Sequence, residues 1–225
     1  MAGIHTLPEL EPVVDAAKMV DRVHAVVAKR ILKKQIPVLL GGEHTISVGA
    51  VRAFADHYPN LTALHFDAHA DLRDQYQGSH YSHACTARRI SEICPVTVVG
   101  VRACSSEEKD FLKTGRARIY PARDLNSGAF PLREFMGDLT ANVYISVDMD
   151  VFDPSLIPAT GTPEPGGLSW QQVTELVEKV CQEKNVIGFD CVELAPAPGS
   201  VSSDYIAAKL VYRIMGFISA KQKWI

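Results

Sequence analysis

Four short apolar runs in this chain each stop at an acidic residue or a histidine, and no other feature limits the fold as strongly. Pro37-Val-Leu-Leu40 leads into Gly41-Gly-Glu-His44, and Leu61-Thr-Ala-Leu-His-Phe66 leads into Asp67-Ala-His69-Ala-Asp71. Val143-Tyr-Ile-Ser-Val147 leads into Asp148-Met-Asp150, and the run 186–190 is followed by Glu193. Two further runs lie at 96–100 and 117–120. Short apolar runs with little polar alternation are what strands buried on both faces look like.

Helix-length patterns separate them. Residues 12–34 place Val13, Ala16, Ala17, Val20, Val23, Val27 and Ile31 at helical spacing. Residues 169–183 start at Ser169, with a Glu three or more places on, and carry the stripe Val173, Leu176, Val177, Val180. Residues 204–218 carry Ile206, Leu210, Val211 and Ile214. Alternating strands and helices predict one α/β domain over 1–225, a three-layer α/β/α sandwich around a mostly parallel sheet. Such sheets bind ligands beyond the carboxyl ends of their strands. His44, Asp67, Asp148 and Glu193 would therefore emerge on one rim.

In Asp67-Ala-His69-Ala-Asp71 three potential metal ligands alternate, and an extended chain points alternate residues to one side. With His44, Asp148 and Asp150 the candidates become four carboxylates and two imidazoles. One cation rarely needs four carboxylates, and uncompensated they would repel one another. Two divalent cations resolve both problems. An oxygen-rich set with some imidazole suits Mn²⁺ better than Mg²⁺, Co²⁺ or Zn²⁺, and no cysteine joins it as in structural zinc sites. Asp148 to Asp153 resembles the start of a calcium loop, but position six is Asp153 and position twelve Ala159, where Gly and Glu belong. Two metals sharing a water lower its pKa and hold it as hydroxide, a nucleophile at neutral pH. Two dications against four carboxylates and a hydroxide leave about −1, and Glu193 adds another negative charge at the rim. Such a site favours a cation, and a planar guanidinium pairs naturally with a carboxylate.

The balance of the chain excludes other classes. Its 225 residues carry a net charge of −3 with both signs interspersed, which argues against nucleic acid or an anionic membrane as partner. No apolar run approaches a membrane span, and the first residues lack the pattern of a signal peptide. Five scattered cysteines without Cys-x-x-Cys spacing read as reduced, mostly buried thiols, so the expected location is the cytoplasm.

Taken together, Gly41-Gly-Glu-His44-Thr, Phe66-Asp67-Ala-His-Ala-Asp71, Ser146-Val-Asp148-Met-Asp150-Val-Phe-Asp-Pro154, Ala159-Thr-Gly-Thr-Pro-Glu-Pro-Gly-Gly167-Leu and Glu193-Leu-Ala-Pro resemble the ureohydrolase family of arginases and agmatinases. The blocks run in the family's order from about residue 37 onward. The resemblance implies an arginase-like fold and a binuclear manganese hydrolase, with two Mn²⁺ per chain, that releases urea from a guanidino compound. It implies that His44 and Asp71 bind one metal, that His69 and Asp150 bind the other, and that Asp67 and Asp148 bridge. Asp71 would also orient the hydroxide, Glu193 would hold the guanidinium, and His83 would relay a proton to the leaving amine. His80 competes with His83 for that role. The segment Leu72-Arg-Asp-Gln-Tyr-Gln-Gly-Ser-His-Tyr-Ser-His83, followed by Arg88-Arg89, looks like agmatinase rather than arginase. Agmatine hydrolysis to putrescine and urea, a step of polyamine biosynthesis, is thus the expected reaction. Guanidinobutyrate and other guanidino acids stay open because Arg73 could meet a carboxylate.

The resemblance further implies a homo-oligomer, trimer or hexamer. The family's first N-terminal strand has no counterpart here, so 37–40 is expected at an uncovered sheet edge. A metal-dependent deacetylase would share the general fold, but the chain has no His-His pair and a second metal would be unexplained. A non-catalytic family member with a binding or regulatory role is the alternative from another class.

Overall fold

The computed structural model describes residues 3–199 and 201–223. Six strands form one sheet: β1 (Val38–Leu40), β2 (Leu61–Phe66), β3 (Val96–Val101), β4 (Ala117–Pro121), β5 (Asn142–Asp148) and β6 (Asn185–Val192). Their order is β1-β6-β5-β2-β3-β4, and every pairing is parallel. All six fall on the expected apolar runs. β2 and β3 are buried along their whole length, as strands covered on both faces must be.

Eight α-helices cover the faces. On one face α1 (Ala16–Leu32), α2 (Ile46–Ala55), α3 (Thr86–Ile90) and α4 (Ser106–Leu112) bury Val20, Val23, Val51, Phe54, Ile90 and Phe111 against Ala63, Val98 and Tyr144. α5 (Ala122–Asn126), α6 (Leu132–Asp138), α7 (Trp170–Glu183) and α8 (Ser202–Lys221) close the other face, burying Phe135, Val177, Leu210 and Ile214 against Leu64, Phe66, Ile145 and Phe189. This is the expected three-layer α/β/α arrangement around a parallel sheet.

Local chemistry sets the helix ends. α1 starts at Ala16 rather than at 12, because the Asp15 carboxylate caps it, accepting from the N–H groups of Ala17 (3.1 Å) and Lys18 (3.3 Å). α7 begins with a capping box between Ser169 and Gln172. α8 runs one turn longer than the apolar stripe predicts. Five helices, α2 to α6, were not anticipated. No described helix is long and apolar enough to cross a membrane, and the five cysteines are unpaired thiols.

The chain order 1-2-3-4-5-6 becomes the spatial order 1-6-5-2-3-4, so direction reverses between the adjacent strands β2 and β5. That reversal opens a crevice at their carboxyl ends. β1 pairs with β6 alone and is a sheet edge among the described residues, with Leu40 two-thirds exposed.

Candidate metal and substrate centre

The carboxyl ends of β1, β6, β5 and β2 stand side by side, and each delivers candidate residues. The loop after β1 carries His44, β6 ends at Glu193, β5 ends in Asp148 and Asp150, and β2 is followed by Asp67, His69 and Asp71. The six candidate ligands gather into two touching groups. In the first, His44 Nδ1 lies 3.3 Å from Asp67 Oδ2, 3.2 Å from Asp71 Oδ2 and 3.3 Å from Asp148 Oδ2. In the second, His69 Nδ1 lies 2.9 Å from Asp150 Oδ2 and 3.6 Å from Asp67 Oδ1. Asp67 stands between them with one oxygen toward each. Asp148 offers Oδ2 to the first group, while its Oδ1 accepts from the N–H of Asp150 (2.9 Å).

His44 Nδ1 and Asp67 Oδ2 are buried without any hydrogen-bond partner. Buried polar atoms are rarely left so. They face each other at 3.3 Å, beside Asp71 Oδ2 and Asp148 Oδ2, and a divalent cation at that point would satisfy both. The donor set of hard carboxylates and imidazoles therefore fits the expected ions.

The crowding shows in the proton affinities. Burial opposes charge on His44, but Asp148, Asp67 and Asp71 outweigh it and hold the imidazole's pKa well above its usual value. Burial is likewise outweighed at His69 by Asp150 and Asp67, which push it to about 11. Burial and the charge of Asp67 push Asp71 up to about 8. Asp148 is raised by burial and by Asp67 and Asp150. Asp67 alone is held below the carboxylate range, because the two imidazoles overcome its burial.

A fully buried polar network stands behind His44. Its Nε2 lies 2.9 Å from Ser146 Oγ, and Ser146 donates to Asp190 Oδ1 (2.6 Å). Ser47 and the Tyr144 hydroxyl donate to Asp190 Oδ2 at 2.6 and 2.7 Å. With its own proton given to Asp190, Ser146 Oγ accepts from His44 Nε2–H. That leaves Nδ1 to face the carboxylates, the orientation a metal-ligating histidine takes from its outer partner. His65, two positions before Asp67 on the same face of β2, is fully buried 5.0 Å from the His44 ring centroid, with both ring nitrogens unpaired. Burial and His44 push it down to about 3. Sequence reading singled out none of these residues. The signal was present: Ser146, Asp190 and His65 each interrupt an otherwise apolar strand, and Ser146 and Asp190 are register partners.

Glu193 accepts from the His44 N–H through Oε1 at 2.7 Å, and burial raises its pKa. Asp71 and Glu193 hold left-handed backbone, with φ of +52° and +60°. Such conformations cost non-glycine residues energy and cluster at functional sites. His83 opens a short 3₁₀ turn, half exposed, with Nδ1 3.6 Å from Glu43 Oε1 and its ring edge-on to Tyr76. His80 is bound elsewhere, its Nδ1 2.8 Å from the carbonyl of Asp74. Arg73 lies over the Tyr76 ring at 5.7 Å, Arg88 over Phe111 at 3.8 Å, and Arg89 pairs with Asp74 at 2.7 Å.

Known proteins resemble this chain in sequence and in fold. The model of a family described as the arginase family matches residues 2–216. A Thermus thermophilus protein named N(1)-aminopropylagmatine ureohydrolase is 39% identical over 231 residues, covering 99% of this chain and 76% of its own length. A Pyrococcus horikoshii protein named agmatinase is 41% identical over 189 residues, 84% of this chain and 65% of its own. The crystal structure of agmatine ureohydrolase of Thermoplasma volcanium superposes with a TM-score of 0.85 at 33% identity, covering 95% of this chain and 73% of that one.

Proposed function

The chain belongs to the arginase family, and on that premise we propose that it is an agmatinase-like ureohydrolase, cutting a guanidino C–N bond of agmatine to give putrescine and urea. The observation that carries this reading is the pair of ligand groups sharing Asp67, with Glu193 on the same rim. His44 and Asp71 would hold one Mn²⁺ and His69 and Asp150 the other, with Asp67 and Asp148 shared between them. Bound there, two such ions supply Lewis acidity and a nucleophile at neutral pH.

The protein's own groups do the rest. Glu193, fixed by the His44 N–H, presents a carboxylate to the substrate guanidinium. Asp71 is placed to accept a hydrogen bond from the attacking water. His83 stands at the rim to give a proton to the departing amine, which must leave protonated. A substrate without a carboxylate is favoured because Arg73, Arg88 and Arg89, the cations of the loop and its flank, are engaged by Tyr76, Phe111 and Asp74. A second reading, N(1)-aminopropylagmatine as substrate, is favoured by the name of the Thermus relative. We place the whole of 1–225 in one catalytic domain of a cytoplasmic homo-oligomer, trimer or hexamer.

Urea release measured with agmatine, N(1)-aminopropylagmatine, guanidinobutyrate and arginine tests the assignment. Agmatine should give the highest kcat/KM. Preference for the aminopropyl compound would shift the substrate within the family, equal turnover of arginine would refute the loop argument, and no urea from any of them would refute catalysis.

A further inference from the structure

Arg102 sits just past β3, outside both ligand groups, yet it joins three segments that build the second one. Its main-chain N–H donates to the carbonyl of Ala68 (2.8 Å), between Asp67 and His69. Its guanidinium donates to the carbonyls of Asp150 (2.7 Å), Val151 (3.3 Å) and Phe152 (3.3 Å), and to that of Gly100 (3.1 Å). It also donates twice to the carbonyl of Glu164, at 3.1 and 2.7 Å. Glu164 belongs to the loop whose Thr162 hydroxyl donates to Asp150 Oδ2 at 3.3 Å. That oxygen is the one facing His69. The other oxygen, Asp150 Oδ1, accepts from the N–H of Ala68 (3.0 Å). The approach of the strands is close. Gly100 has φ +102°, and a Cβ there would meet Val151 at 2.6 Å and the Asp67 carbonyl at 3.1 Å.

We propose that Arg102 is a positioning residue: its guanidinium clamps the Asp150 segment and the Thr162 loop onto the Asp67–His69 segment, and so sets the geometry of the His69/Asp150 metal position. The chemistry suits arginine alone. Only a planar fork of five N–H donors can serve this many carbonyls, and lysine's three donors on a point charge cannot. His44 and Asp71, which belong to the other position alone, lie outside the clamp, and the His44 imidazole is oriented by Ser146 and Asp190. The two metal positions should therefore respond differently to a change at 102. The inference rests on the two-metal reading given above.

The test uses purified full-length protein stripped and reloaded with Mn²⁺. Stepwise affinity is read by calorimetry, and the ion pair is read by electron paramagnetic resonance. Arg102→Lys should weaken the second ion about 10- to 100-fold, as losses of outer-shell partners do, and leave the first within about twofold. At limiting Mn²⁺ the exchange-coupled spectrum of a pair should give way to that of single ions. Thr162→Val, which deletes one hydroxyl from an exposed loop, should weaken the same ion, and should add nothing in the Arg102→Lys background. Equal loss of both ions, or loss of neither, overturns the positioning role. If Arg102→Lys does not fold, Thr162→Val decides alone: retention of wild-type affinity for the second ion overturns the proposal. A wild-type protein that binds two ions while both variants keep them sinks only this inference; one that binds fewer than two sinks the metal reading as well.

Discussion

Loading the metal-free protein with Mn²⁺ at pH 7 should expel about three protons per chain. Metal ligation needs neutral imidazoles and ionised carboxylates, and the empty cluster holds protons in both. His44 is shifted well above its ordinary value despite its burial, because Asp148, Asp67 and Asp71 surround it. His69 titrates near 11 with Asp150 and Asp67 beside it. Asp71, raised by burial and by Asp67 to about 8, is roughly nine-tenths protonated at pH 7. Asp148 shifts the same way and would carry the count toward four. Each proton released makes binding about tenfold, or about 1.4 kcal/mol, stronger per pH unit. Three give about 4 kcal/mol per unit over the two ions. The sign is set because every group involved has its pKa raised in the metal-free state. Protons therefore compete at low pH and affinity climbs as pH rises. The slope should ease above about pH 8, when Asp71 has lost its proton, and persist toward 11 through His69. Calorimetric titration in buffers of different ionisation enthalpy counts the protons directly. Release of less than one proton, or uptake, would mean that the cluster is not organised as described.

Other variants separate the roles within the site. Glu193→Gln keeps an oxygen for the His44 N–H but loses the charge facing the guanidinium, so kcat/KM should fall by roughly 1.5–3 kcal/mol in steady-state urea assays while Mn²⁺ content stays whole. His83→Ala should depress kcat and leave metal content unchanged by elemental analysis; loss of metal would contradict a proton relay. His65→Leu should leave both ions bound and keep or raise the melting temperature, because an unpaired buried imidazole costs about 1–3 kcal/mol; loss of an ion would make His65 a ligand. Metal-free protein should lose stability as pH rises. Asp71, with its folded pKa of about 8 above the unfolded value, favours the fold most in acid and ceases to as pH passes 8. His69 contributes fully below its unfolded pKa and is lost through 11. Asp67 opposes them only in strong acid. Denaturant midpoints that rise between pH 6 and 9 would reverse that account.

The strands and the ligand convergence were legible because they follow from short-range rules. A strand covered on both faces is a block of apolar residues, and the residue after it must stand at the sheet's end. α1, α7 and α8 were legible because each keeps a polar face. α2 was not. Seven of its ten residues are buried, so it has no polar stripe to give a 3.6-residue period, and a helix apolar all round looks like any core segment. The remaining four helices are too short for periodicity, although Ser105 and Glu108 spell the capping box that starts α4. Of the site, the charged loop residues could be read; the polar breaks at Ser146 and Asp190 were visible in their strands, but the bonds of the Asp190 network and of Arg102 were not. Their partners are distant main-chain carbonyls and hydroxyls that only strand order brings near.

Strand order also sets when the site can exist during synthesis. β1 emerges early but pairs among the described residues with β6 alone, and the bond from His44 to Glu193 spans 149 residues. At roughly 5–20 residues per second, about seven to thirty seconds pass between those two residues leaving the ribosome. Through that interval β2, β3 and β4 can pair in sequence, while β1 waits with Leu39 and Leu40 uncovered. The carboxylates of β5 also arrive late, so no nascent fragment short of residue 150 carries all six candidate ligands. The closing event is the insertion of two late strands between β1 and β2, a slow, non-local step. Until it occurs, the early half of the chain leaves apolar strand surface uncovered and the site incomplete.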